Sequence, residues 1–298
     1  MTELKAALNL LVALDGSEHS TGALRLVVAL AQRGARLHAV VLNVQAPVMV
    51  GEVGAIAPAS IASESRHRAA TEVLGAADRA LAEAGVPHET HEEREAPAAA
   101  IVSRANAHGC DAIVVGSRGL GRLRRAFLGS VSGEVVRHAD RPVIVVGAAD
   151  AAPADGPLRV LAAVDGSDCA LRALGLAARL ARTLPGSELH LLHVRRPPST
   201  ARARSKAPGR VPEGSPANDA ESAFAGARAL LERDAVAHST RVTEDRNPAQ
   251  AIAHVAAELG CGMIAMGTRG RGAMAGLLLG SVAQGVLRRV RVPVVLAR

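Results

Sequence analysis

Two stretches of the chain carry glycines and hydroxyls at a spacing suited to holding an anion. Gly116-Ser117-Arg118-Gly119 is followed after nine residues by Gly129-Ser130, and Gly267-Thr268-Arg269-Gly270 after nine by Gly280-Ser281. The first two glycines of each stretch let the backbone turn back with its N–H groups exposed. The Gly-Ser step then opens a helix whose unpaired N–H groups and dipole favour a phosphate, and Ser130 and Ser281 add hydroxyl donors. Arg118 and Arg269 add positive charge. Asp15 and Asp165 stand in LDGS and VDGS contexts, where a carboxylate suits hydrogen bonds from ribose hydroxyls or a base edge. The same DGS is also a good turn and Asx cap. Val44 and Val194 are expected to pack and to offer backbone groups to a base. One glycine pattern of this kind is explained as well by turns and capped helices. Its recurrence favours a ligand, although two copies related by descent are not independent tests.

These residues must be held by regular elements, and the apolar runs supply them. Leu8 to Leu14 reads as a buried strand, DGSEHS as a turn and helix start, and the following segment as a helix to Arg33. Leu37 to Val44 is a second strand, 45–58 a loop, and Ser60 to Ala84 a long amphipathic helix. A short strand from Pro87 to His91, a helix from Pro97 to His108 and a strand from Ala112 to Val115 follow. After the Gly-rich loop come a helix from Ser130 to Ala139 and a strand from Val143 to Val146. The second half follows the same plan with a longer, more basic loop at 196–218. Strands apolar throughout need cover on both faces, so the expectation is a doubly wound five-stranded parallel sheet in each half, with helices on both faces. Ligands of such sheets sit beyond the carboxyl ends of the strands where strand order reverses.

A repeat fixes the number of domains. Residues 10–31 match 160–181 at an offset of 150, and 110–146 match 261–297 at an offset of 151. Duplication predicts a first domain over 1–147, a linker over 148–157 and a second domain over 158–298.

Composition narrows the function classes. Two phenylalanines and no Tyr or Trp among 298 residues leave little for base-stacking platforms, so nucleic acid is not the expected partner. The net charge of +7 comes from the second half, with 20 basic and 12 acidic groups against 15 and 16 in residues 1–150. Much of the excess lies in Arg195, Arg196, Arg202, Arg204, Lys206 and Arg210, read as a solvated loop able to attract an anionic surface. Three cysteines without CxxC spacing argue against a disulfide scaffold or zinc site and suit a reducing cytoplasm. The N-terminal apolar run reads as a strand rather than a signal peptide, and no stretch reaches the roughly 18 apolar residues of a membrane span. The eleven histidines show no HExxH or close paired-ligand spacing, and Glu92, Glu93 and Glu95 read as a solvated acidic run. No catalytic residue and no dedicated metal ligand is expected.

The paired GSRG…GS and GTRG…GS patterns, the strand-one aspartates, LLHV at 191–194, and HADRPVIVV and VRVPVVLA at the ends of the halves together resemble the universal stress protein family in its tandem form. The resemblance covers nearly the whole chain and is weakest at 45–58, 196–218 and the third strand. It implies an adenine nucleotide α-hydrolase-like fold and, because the glycine pattern is kept, ATP binding. By resemblance, Asp15, Val44, Gly116, Gly119, Gly129, Ser130 and Val131 line one nucleotide site. Asp165, Val194, Gly267, Gly270, Gly280, Ser281 and Val282 line the other. Asn43 replaces a His often seen before the valine, which His193 keeps, and the effect is expected to be mild. The family pairs domains through the last strand, so 143–146 is expected against 294–297 across a pseudo-twofold axis, giving an internal dimer that could pair again as a homodimer. The implied role is an ATP-binding stress-response protein with little or no hydrolysis, in which nucleotide alters shape, dimerisation or a surface for a protein partner. Mg²⁺ would enter through the phosphates. A nucleotide-free scaffold and an ATP-using enzyme are the alternatives. The chain has neither GxxxxGK[ST] nor SGGxDS, which weighs against the enzyme.

Overall fold

The strand β1 (Leu8–Ala13) is a continuous apolar run because both of its faces are covered: Leu10 and Val12 point to one layer of helices and Leu11 to the other. The computed structural model describes residues 7–46, 59–118, 128–147, 157–197, 216–270 and 279–298. Gly119, Arg202, Arg204, Lys206, Arg210, nearly all of the expected linker and most of the loop 45–58 lie outside the described residues.

After β1, Gly16 adopts φ +82° and lets the chain reverse into α1 (Glu18–Gln32), whose N-cap Ser17 accepts a hydrogen bond from the Ser20 N–H. Then come β2 (Leu37–Val44), α2 (Ala59–Glu83), β3 (His88–Glu93), α3 (Pro97–Ala107), β4 (Ala112–Gly116), α4 (Ser130–His138) and β5 (Val143–Val146). The second half repeats the order: β6 (Arg159–Ala163), α5 (Asp168–Thr183), β7 (Glu188–Arg195), α6 (Pro216–Arg233), β8 (His238–Glu244), α7 (Pro248–Glu258), β9 (Met263–Gly267), α8 (Ser281–Leu287) and β10 (Val294–Ala297). Gly166, at φ +78°, and the N-cap Ser167 reproduce the first turn.

All ten strands form one sheet in the order β3-β2-β1-β4-β5-β10-β9-β6-β7-β8. Pairing is parallel within each half, and the halves join where β5 meets β10 antiparallel, Val145 opposite Val294 and Ile144 opposite Val295. The strand-to-strand pairing of the halves thus takes the form that the family resemblance implies. The joint turns two sheets into one and leaves β3 and β8 as its outer edges. One helical layer holds α1, α2, α5 and α6, the other α3, α4, α7 and α8, and each layer's apolar core runs through both halves. With Phe224 the one aromatic side chain among the largely aliphatic core residues described, packing rests on close approach of small residues.

Two expectations about element bounds are corrected. Helix α6 starts at Pro216, inside the segment read as a loop to 218. The third strand runs to Glu93, two residues beyond the expected His91. Glu92 and Glu93 are therefore half-buried strand residues rather than a solvated run. Register against Asn43 and Val44 holds them; His67 pairs with one oxygen of Glu92 and Arg104 with Glu93.

Candidate functional site

Each half forms a cavity at the carboxyl ends of its strands, beside the point where the chain order reverses between β1 and β4 or between β6 and β9. At the end of β1, Asp15 accepts the Ser17 N–H through Oδ1 at 3.0 Å. At the end of β6, Asp165 Oδ1 accepts the Ser167 N–H at 3.0 Å and the Ser167 hydroxyl at 2.6 Å. In both, one carboxylate oxygen braces the turn that starts the next helix, so the turn and ligand readings of DGS are compatible. A Cβ on Gly270 would lie 2.5 Å from Asp165 Oδ2, which brings the second glycine of the motif against the strand-one carboxylate.

The glycine-rich segments leave and return at one point. The Ser117 N–H donates to Val146 O and the Gly129 N–H to Ser117 O at 2.8 Å; the Thr268 N–H donates to Ala297 O and the Gly280 N–H to Thr268 O at 2.8 Å. Gly129 and Gly280 are N-caps with no side-chain cap. Ser130 and Ser281, the first helical residues, are exposed at the cavity mouths. A helix start lacking a side-chain cap leaves donors for an anion or water.

The first glycine of each motif has a different task. A Cβ on Gly116 would stand 2.7 Å from His19 C and 2.8 Å from Ser20 N, and one on Gly267 2.9 Å from Cys169 Cβ and 3.0 Å from Ala170 N. These glycines let the end of β4 or β9 touch the first turn of α1 or α5.

The first cavity, about 300 Å³, is lined by Asp15, Val44, Gly116, Arg118, Gly129, Ser130 and Val131 together with Pro97, Ile101 and Ser132. The second, about 550 Å³, is lined by Asp165, Val194, Gly267, Arg269, Gly270, Gly280, Ser281 and Val282, with Arg196, Pro248, Ile252 and Thr268. All the sequence-predicted site residues that are described thus fall on one or other wall; Gly119 lies outside the described residues. The sequence reading missed the helix-three contributions. Pro97 and Pro248 open equivalent helices, and that repetition was the available signal.

Asn43 and His193 occupy equivalent places and do the same work. Asn43 Nδ2–H donates to Leu14 O at 2.7 Å, and His193 Nδ1 lies 2.9 Å from Val164 O. Each ties the end of strand two to the end of strand one, next to the valine lining the cavity. His19 Nδ1 and Ser117 Oγ, 3.0 Å apart, brace the first glycine loop; Cys169 and Thr268 stand at the matching positions.

Away from the cavities, the β3 edge gathers acidic and imidazole groups into contact. At this edge, burial draws the Glu89 carboxyl upward, but the adjacent imidazoles of His91 and His108 outweigh it and hold the group below the ordinary carboxylate value. Burial pushes the thiols of Cys110 and Cys261 up to about 11, which keeps them protonated and inert at neutral pH.

Fold and site together define a tandem doubly wound α/β protein with a cavity at the switch point of each half. A sequence model of the universal stress protein family matches residues 8–147 and 158–298, and the chain belongs to that family. It is 29% identical, over the whole chain and 99% of the relative, to a universal stress protein of Mycolicibacterium smegmatis. It is 34% identical over 62% of the chain and 61% of the relative to one of Mycobacterium tuberculosis. Among solved structures, a universal stress protein from Archaeoglobus fulgidus shares the fold at a TM-score of 0.67 with 23% identity, covering 97% of this chain and 98% of that one. A putative universal stress protein from Pseudomonas aeruginosa does so at 0.58 with 18% identity, over 98% and 94%. No helix of the described residues is long and apolar enough to cross a membrane.

Proposed function

We propose that this universal stress protein binds one ATP in each half and that nucleotide occupancy, rather than turnover, is its signal. The observation that carries the reading is the duplicated arrangement of a strand-one carboxylate facing a glycine-capped helix start across a cavity. The cavity volumes lie within the roughly 300–1,000 Å³ range of small-molecule sites. In this reading, the Ser130 and Ser281 ends of the helices receive phosphate oxygens, Arg118 and Arg269 balance charge, and Asp15 and Asp165 receive ribose hydroxyls. Val44, Val131, Val194 and Val282 bound the apolar part of each cavity. Bound Mg²⁺ would neutralise phosphate oxygens and be held largely by them and by water. The role is a regulatory one in the stress response, exercised through domain shape, homodimerisation or a protein partner. Free thiols, two of them buried, are consistent with a reducing cytoplasm.

The test is ATP titration of protein freed of nucleotide, in wild type and in Ser130→Glu and Ser281→Glu. Both serines are exposed, and an acidic residue suits the first turn of a helix, so folding is retained while phosphate is repelled. Two ATP per chain, falling to one in each variant and none in the double variant, is expected. Unchanged stoichiometry in the double variant overturns the phosphate assignment. A wild type that fails to bind at saturating ATP points instead to a nucleotide-free scaffold.

A further inference from the structure

Strand β3 is an edge of the sheet, and side chains on successive residues point to opposite faces. Glu89, His91 and Glu93 therefore face α3, where Arg104 and the C-cap residue His108 come to meet them. Glu89 Oε1 lies 2.7 Å from His108 Nδ1, and Glu89 Oε2 lies 3.2 Å from His91 Nε2. The two imidazoles stand edge to face, centroids 5.2 Å apart. His91 Nε2 is shielded from solvent and finds no aligned hydrogen-bond partner. Three ligand atoms lie within 4.8 Å of one another, the only such group among the described residues.

We propose that Glu89, His91 and His108 form a site for one divalent transition-metal ion of the zinc class. Two imidazole nitrogens and one carboxylate oxygen match the donor preference of zinc, whereas calcium and magnesium demand oxygen throughout. Small side-chain adjustments bring the three atoms to the ~2.0–2.2 Å that zinc requires. The side chains are 39%, 26% and 23% exposed, so the ion has an entry path and water can fill the fourth position. On the inner side, Val40 and Leu42 back the site with apolar surface. His108 closes the C-terminal end of α3, where the helix dipole favours positive charge.

Binding moves one proton. Arg104 Nη1 lies 3.3 Å from His108 Nε2, and because a guanidinium only donates, the ring carries its proton on Nδ1, directed at Glu89. The ion takes the Nδ1 lone pair, and the ring's single proton passes through solvent from Nδ1 to Nε2 with no net release; Nη1 then turns away while Arg104 keeps its contacts with Glu93. Removing that guanidinium by Arg104→Gln is therefore expected to strengthen metal binding.

The second half is a built-in control. Ser239, Arg241 and Leu259 stand where Glu89, His91 and His108 stand in the first, so one ion per chain is expected. The test is Zn²⁺ titration by calorimetry on untagged, full-length protein stripped with chelator and free of nucleotide, so its outcome is independent of the ATP reading. One tight equivalent is expected, weakened at least about tenfold by His91→Ala, His108→Ala or Glu89→Gln and unchanged by His238→Ala. Absence of a tight equivalent, or its persistence in the His91→Ala/His108→Ala double variant, overturns the proposal and leaves a carboxylate–histidine network alone. Histidine modification mapped by mass spectrometry on the wild type needs no variant to fold: Zn²⁺ should protect His91 and His108 among the eleven histidines. Equal modification with and without Zn²⁺ likewise overturns the site.

Discussion

Asn43 and His193, Gly85 and Ala235, Gly116 and Gly267 occupy matching places in the two halves; the first two pairs differ in residue type, with unequal consequences, and the third does not. Asn43 and His193 both link the ends of strands one and two, so chemistry changed while the contact stayed. Gly85 follows α2 at φ +66°, and Ala235 follows α6 at φ +51°. The N–H groups of Val86 and Val236 close both helix ends onto Leu81 and Leu231. Here the contact stayed at the expense of backbone strain, since a Cβ disfavours the left-handed region. The duplication thus conserves hydrogen-bond geometry more tightly than residue type.

The largest effect expected from breaking this correspondence is at Gly116. Gly116→Ala forces a Cβ onto the backbone of His19 and Ser20, and a loss of about 1–3 kcal/mol is expected in urea unfolding. The looser contacts at Gly267 predict a smaller loss for Gly267→Ala; the reverse order would mean that the first turns of α1 and α5 yield differently. Next comes Ala235→Gly, expected to gain about 1 kcal/mol by relieving the left-handed alanine. A loss in the same assay would show that α6 does not use this end as α2 uses Gly85. Smallest is Asn43→His. The place of Phe224, whose ring abuts His193, is taken in the first half by the smaller Leu74, which leaves room for an imidazole. A change below about 1 kcal/mol in thermal unfolding is expected, and a larger loss would mean that the Gln45-to-Asn43 bond matters more than the link to Leu14.

The repeat, the sheet and, apart from what α3 and α7 contribute, the walls of both cavities were legible because they rest on local signals. Continuous apolar runs such as LLVA mark strands covered on both faces, Ser17 and Ser167 cap helices in place, and glycine spacing marks the loops. What escaped depends on which distant residues meet. Gly116 reads as a turn glycine until the first turn of α1 is seen against it. Glu89, His91 and His108 belong to an edge strand and the end of the following helix, seventeen residues apart between the histidines, and no spacing rule joins them. Only the i, i+2 alternation of Glu89 and His91 hinted at a shared face. The acidic end of β3, Glu92 and Glu93, was also disguised, since charge on an edge strand protects against pairing with other sheets and resembles a solvated run in sequence.

The antiparallel seam between β5 and β10 has a consequence for how such a chain can evolve. In an assembly of identical subunits, every substitution appears on both sides of the symmetry axis, so a change that suits one site is imposed on the other. Here the two partners of the seam are encoded separately within one polypeptide. Histidines can accumulate at one sheet edge while arginine occupies the other, and one cavity can grow without the other. The covalent chain preserves an approximately symmetric architecture while freeing each half to acquire its own chemistry.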